Sequence, residues 1–262
     1  VYNPSYAVIV ETDATSRSGS TVINTAVSAI TLTGNVGDVT MNTAKAVLSL
    51  NKAKVGKLNA AVMLPTITVD KDSTVDSVNI PASSTGAALT IEGKVKSVLV
   101  DAEAGEVKTA STANVETLDI NGVSSTIELD GKLSKVIIGA ESEDNTISVG
   151  SGAKIDTITL LANGENDIEV SSGASIGTFA VNEPKAKMSL KLSIDDFLID
   201  TGAKGARITF EDGTTMDTLE VKADDVDVVL KRGANIRNII VTGYNVHIIV
   251  EEGATADKVE VS

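Results

Sequence analysis

A repeat of about twenty residues governs what this chain can fold into, and it runs from residue 30 to residue 262. Each repeat opens with an apolar-x-apolar pair, crosses a polar turn, and continues as apolar-x-x-apolar-x-apolar. The opening pairs begin at Ile30, Leu48, Ile67, Leu89, Val107, Ile127, Ile147, Ile168, Met188, Ile208, Val228 and Ile248, with successive spacings between 18 and 22 residues. The six-residue frame is kept in every repeat, from Val36/Val39/Met41 through Val115/Leu118/Ile120 and Ile194/Phe197/Ile199 to Ala256/Val259/Val261. Period-2 spacing sends both apolar side chains of a pair to one face of an extended strand. β-Branched Val and Ile dominate these positions, and turns such as "SGAKI" and "KRGANI" separate them. In the x-x step two consecutive residues face outward, so the chain has to bend there, making a corner between two short sheets.

These features predict an all-β, single-domain parallel β-helix (β-solenoid), expected to be right-handed, of about 12 coils of about 20 residues with three short strands per coil. Equivalent positions then stack at a spacing of about 4.8 Å, which gives a rod roughly 58 Å long. Residues 30–262 form the β-helix repeats, and residues 1–29 are expected as an irregular N-terminal cap or incomplete coil, with Val8 and Val10 as its start. Val259 and Val261 complete the last coil, so the expectation is that the natural chain continues or that a partner covers this end. Turns shorter by two residues occur in "IEGKV", "LDGKL" and "LKLSI", and the outer loop lengthens at residues 81–87.

Composition agrees with a stacked aliphatic core: apolar residues are 42% of the chain, aromatics 2%, and Trp is absent. A formal charge of -14 argues against nucleic acid or an anionic membrane surface as partner, because both need clustered Lys and Arg to neutralise phosphates. With no Cys, disulfides and thiolate metal sites are ruled out. No apolar run reaches the ~18 residues of a spanning helix, so membrane insertion is not expected. The opening "VYNPSYAVIV" has neither a basic n-region nor an initiator Met. Neighbouring domains are therefore expected outside this sequence.

Repeats of the form "GAxI-xx-I-x-V", as in "SGASIGTFAV" and "RGANIRNIIV", resemble the β-helical repeat regions of secreted Gram-positive cell-surface proteins, which often adjoin S-layer homology modules. The resemblance covers residues 30–262 and is one of repeat style. It implies an extracellular, cell-surface location and partners among cell-wall or extracellular polysaccharides or other surface proteins.

Asp195 and Asp196, side by side in "LSIDDFLID", are the most conspicuous candidate site. Adjacent acids do the chemistry in pectin-degrading β-helices. Here, however, they fall on the x-x corner, whose first position also carries Asp76, Glu116, Asp156, Asp217 and Asp257. An acid/base pair for glycoside cleavage must flank a cleft at a set separation, and adjacent residues on a convex corner do not, so no catalytic residue is assigned. Stacking brings Asp195 near Asp217 and Asp196 beside Thr218, which makes Asp195, Asp196 and Asp217 a weak candidate calcium site, hard cations preferring carboxylate oxygens. No other cofactor is expected. Phe179, Phe197 and Phe210 read as core. Tyr244 reads as an outer-loop residue, Tyr2 and Tyr6 belong to the N-terminal segment, and His247 faces outward. Lys231, Arg232 and Arg237 form a local basic group, read as a counterweight to Asp224, Asp225 and Asp227.

The function expected is a non-catalytic extracellular structural or adhesive β-solenoid, a rigid scaffold or spacer of a bacterial cell-surface protein. The alternative is a glycan- or cell-wall-binding module, and third in order comes a polysaccharide lyase or hydrolase, favoured by fold analogy alone.

Overall fold

The computed structural model of the chain describes residues 8–11, 19–24, 29–162, 166–171 and 173–262. Among them every named element is a strand, every named strand pairing is parallel, and the stack is a β-solenoid of about 12 turns. Among the described residues no helix is long and apolar enough to cross a membrane.

From coil 3 onward each coil contributes a four-residue strand and a seven-residue strand, as in Glu106–Thr109 and Asn114–Ile120 of coil 5. The long strand holds the predicted corner. Asn114 and Val115 pair with Lys94 and Val95, and pairing resumes only at Thr117 with Ser97, so the first corner residue, Glu116, is skipped. The outward x-x residues thus bend each long strand into two arms, and three short sheets surround the core. Coils 1 and 2 depart from the pattern. Ile30–Met41 and Val47–Asn59 each run as one strand, with register shifts between them at Leu32/Gly34, Asn35/Gly37 and Gly37/Val39. Gly34 and Gly37 adopt φ of 78° and 74°, a region that costs an L side chain about 1–2 kcal/mol, so the bend is made by glycine.

The segment before residue 30 supplies two strands to the stack. Val8–Glu11 pairs in parallel with Ile30–Thr33, and Ser20–Ile23 pairs with Asp38–Met41. Tyr2 and Tyr6 lie outside the described residues.

The core follows the periodicity closely. Through coils 1 to 11 every predicted inward apolar residue is buried except Met188, which is half-buried. In the last coil Val259 and Val261 occupy inward positions and are exposed. Phe179 stacks on Phe197 at a centroid distance of 5.2 Å, and Phe197 meets Phe210 edge-on at 5.1 Å. Offset and edge-on arrangements such as these add about 0.5–1.5 kcal/mol per pair beyond area burial.

The turns are as regular as the strands. N–H groups just past the strands donate back to the preceding coil, as Asn121 N to Val100 O at 2.8 Å. The turn before each short strand reverses that sense. Its left-handed residue, for example Ala104 at φ 52° or Ser124 at φ 53°, donates forward, Ala104 N to Val123 O and Ser124 N to Glu143 O, both 2.9 Å. Inside this turn runs a buried polar ladder. Ser125 Oγ accepts from Gly105 N at 3.1 Å, Asn145 Oδ1 accepts from Ser125 N at 2.7 Å, and Asn145 Nδ2 donates to Asn166 Oδ1 at 3.0 Å. Side chains take over backbone partners there, which keeps the buried amides satisfied.

Candidate functional site

The corner column places the candidate acids as register demands. Asp196 pairs with Thr218 and with Thr178, and Asp195 and Asp217 hold equivalent skipped positions between paired neighbours. Asp195, Asp196 and Asp217 are all exposed. Asp217 is engaged on its other side by Arg237, with Nη1 at 2.8 Å from Oδ1. Among the described residues no three His, Cys, Asp or Glu side chains are grouped so as to hold a metal ion. A calcium ion takes six to eight oxygens, whereas this corner offers separate carboxylates, one of them already bound to a guanidinium. The same column repeats the arrangement lower in the rod, where Lys96 Nζ lies 2.6 Å from Asp76 Oδ1. Its hydrogen bond to Asp76 holds the Lys96 ammonium above its ordinary range.

Two of the three basic residues of coil 11, Lys231 and Arg237, are paired, but not with the acids expected. Lys231 Nζ reaches Glu251 at 2.6 Å and Arg237 reaches Asp217, whereas Asp225 meets Lys204 at 3.3 Å and Asp227 meets His247 Nδ1 at 3.3 Å. The physical reason is the stack itself. A side chain's nearest neighbour is the residue one coil away at the same register, about 4.8 Å off, while residues of the same coil more than two apart sit farther along the strand or on other faces. The hydrogen bond between Lys231 and Glu251 raises the lysine's pKa and lowers the carboxyl's. Asn245, and after it Lys204, lower that of Asp225. His247 therefore has an acidic neighbour that its outward alternation alone did not reveal. Tyr244 is 81% exposed on the outer turn, as expected.

From coil 3 onward, among the described residues, the ladder of short strands is broken at one junction, and it adjoins "LSIDDFLID". The short strands from Thr66–Val69 to Asp167–Val170 form one continuous ladder, and those from Lys187–Leu190 to His247–Val250 form a second. Among the described residues no strand pairing or backbone hydrogen bond joins Asp167–Val170 of coil 8 to Lys187–Leu190 of coil 9. Nearly all Cα pairs between these two strands lie more than 8 Å apart. On the long-strand side the coils stay joined, with Thr178–Val181 paired to Asp196–Ile199. Ser175 and Ile176 stay unpaired with Ser193 and Ile194, although the next junction pairs Ser193 and Ile194 with Thr215 and Met216.

The result is a wedge-shaped cleft of about 480 Å³, lined by Asp144, Asn145, Asp167, Lys187 and Ser189 with Ile168 and Met188 at its floor. The half-exposure of Met188 follows from the opening. Glu183 lies in the turn at the same level, 6% exposed, and burial pushes its carboxyl pKa up. Neither the cleft nor the Asn145 ladder was among the sites expected. The polar ladder had a signal in the residues just before successive short strands, Ser125, Asn145 and Asn166, where other coils place Ala46, Ala87 and Ala206.

The chain matches no family model, no curated protein and no solved structure.

Proposed function

We propose that this chain is a non-catalytic structural β-solenoid, a rigid spacer or display scaffold of a bacterial cell-surface protein. The observation that carries this reading is the long-strand ladder, which runs without interruption from Ser20–Ile23 through every coil to Thr255–Val261, even past the opening between coils 8 and 9. Such a spine keeps every coil in register with the next along the length of the rod. The exposed charges support the same reading, because several are spent on ion pairs between coils, Lys96 with Asp76 and Arg237 with Asp217 among them. Pairs so exposed add little stability, and the acids in excess of them, a net charge of -14, keep the rod dispersed. Repeats of the style seen in "SGASIGTFAV" agree with an extracellular setting. Antibodies raised against the purified chain should label intact cells of the organism that makes it. Label found only after lysis, or polysaccharide cleavage abolished by Asp195→Asn and Asp196→Asn, would overturn the reading.

One observation favours a second reading, a glycan- or cell-wall-binding module. The cleft between coils 8 and 9 combines carboxylate, amide, ammonium and hydroxyl groups with an apolar floor, and its size falls within the range of about 300–1,000 Å³ usual for ligand sites. A glycan array in which Asp167→Ala and Lys187→Ala abolish a reproducible signal would establish it, and an array without signal would remove it.

A further inference from the structure

The chain itself supplies the comparison that explains the opening between coils 8 and 9. In three coils the turn between short and long strand is cut by two residues, and each of these coils stacks on one with a full-length turn. The shortened turns are Glu92-Gly93, Asp130-Gly131 and Lys191-Leu192. In the first two, glycine lies hard against the preceding coil. A Cβ on Gly93 would stand 2.3 Å from Asp70 O and 2.5 Å from Ser73 O, and one on Gly131 would stand 2.4 Å from Ala110 O. These coils close fully. Lys94 N donates to Ser73 O at 3.0 Å and Lys132 N to Ala113 O at 2.9 Å, and the short strands pair over four positions in the first case and three in the second. Coil 9 puts Leu192 where the others have glycine. Its side chain is turned into the core and 2% exposed, and no corresponding bond from Ser193 N to Ala174 O is found among the described residues.

We infer that Leu192 is a wedge that holds coils 8 and 9 apart on one side and makes their junction the flexure of the rod. The strands on either side are matched for closure. In the register kept elsewhere, Asp167 would face Lys187, Ile168 would face Met188 and Val170 would face Leu190, an opposite-charge pair over two apolar pairs. Closure is thus favoured by side chains and opposed by one turn residue. The intact pairing of Thr178–Val181 with Asp196–Ile199 serves as the hinge side. Coils 1 to 8 and coils 9 to 12 are two stiff segments that tilt about it, and this conclusion does not depend on what the rod displays.

The absence of cysteine gives a direct test. Adjacent parallel positions lie within the Cα separation of about 4.4–6.8 Å that a disulfide needs. The control pair Thr66→Cys with Ala88→Cys, which are register partners, should cross-link readily under mild oxidation. The pair Asp167→Cys with Lys187→Cys should cross-link at least about tenfold more slowly, and adding Leu192→Gly should restore the control rate. The converse variant, Gly93→Leu, should open a second wedge and slow the Thr66/Ala88 pair by a similar factor. The inference is overturned if the Asp167/Lys187 pair links as fast as the control with Leu192 in place. It is also overturned if a folded Leu192→Gly protein leaves that pair slow. Should Leu192→Gly fail to fold, the converse variant decides, and an unchanged control rate in Gly93→Leu refutes the wedge.

Discussion

Phe197 is the residue whose removal tests the packing at this junction most severely. Its ring is 1% exposed, stacks on Phe179 at 5.2 Å and meets Phe210 at 5.1 Å, so it ties coils 8, 9 and 10 together. We predict that Phe197→Ala costs about 5 kcal/mol: buried Phe-to-Ala changes run about 3–5 kcal/mol, and losing two ring pairs places this one at the top of that range. Phe197→Leu keeps most of the volume and forfeits mainly the ring geometry, about 1–2 kcal/mol. In a stacked array, stability is close to a sum of coil terms and nearest-neighbour interface terms. Since among the described residues coils 8 and 9 pair only along their long strands, the alanine loss falls on the weakest interface, and unfolding should split into two transitions. Urea titration followed by far-ultraviolet circular dichroism reads both effects. A loss below about 1.5 kcal/mol for Phe197→Ala, with a single transition retained, would refute the argument.

Three further outcomes are expected. Asp119 has a buried Oδ1 without a partner and lies in a column between Leu99 and Ile137; burial first, and Asp101 second, raise its carboxyl pKa above the ordinary 3.8. Its ionised form therefore weakens the fold above the raised pKa, the penalty is relieved as pH falls through that pKa and is gone below 3.8; Asp119→Asn should raise the melting temperature at pH 7 and flatten this acid-side gain, and an unchanged pH profile would count against it. Gly233 has φ of 87°, which strains an L side chain even after the exposed Asp212 side chain swings aside, so Gly233→Val should cost at least about 1–2 kcal/mol by thermal denaturation. Because Arg237 already engages Asp217, millimolar calcium should leave the melting temperature of the natural chain unchanged, and a calcium-dependent rise lost in Asp195→Asn would restore the corner as a metal site.

The inward ladders could be read in the sequence because burial in a solenoid depends on a residue's place in the frame, and the frame repeats. Ile194, Phe197 and Ile199 are buried and Asp195 with Asp196 form the corner between them, as the x-x step requires. Ion-pair partners were less legible. Arg237 binds Asp217 twenty residues before it and passes over Asp227, ten residues away, so these pairs follow vertical register, while Lys222 with Glu220 and Lys258 with Glu260 pair two apart along a strand. The opening between coils 8 and 9 was least legible, since "LKLSI" keeps the apolar frame as faithfully as "IEGKV" and "LDGKL". What separates them is the volume allowed at one turn position, which shows only once carbonyl oxygens of the preceding coil are in place around Gly93 and Gly131.

A stiff stack in which equivalent residues climb one rung per coil fixes the distance between two labels in one column. Thr40 and Ala180 belong to such a column, seven rungs apart and on the same side of the flexure. With cysteines at these two positions of an otherwise cysteine-free chain, pulsed electron spin resonance should give a narrow distribution centred near 34 Å, at about 4.8 Å per rung. Deleting residues 127–146, which removes one coil and leaves Ile147 following Thr126 as Ile127 does, should shorten that distance by about 4.8 Å. A broad distribution, or a deletion that leaves the distance unchanged, would contradict the stacked-coil account.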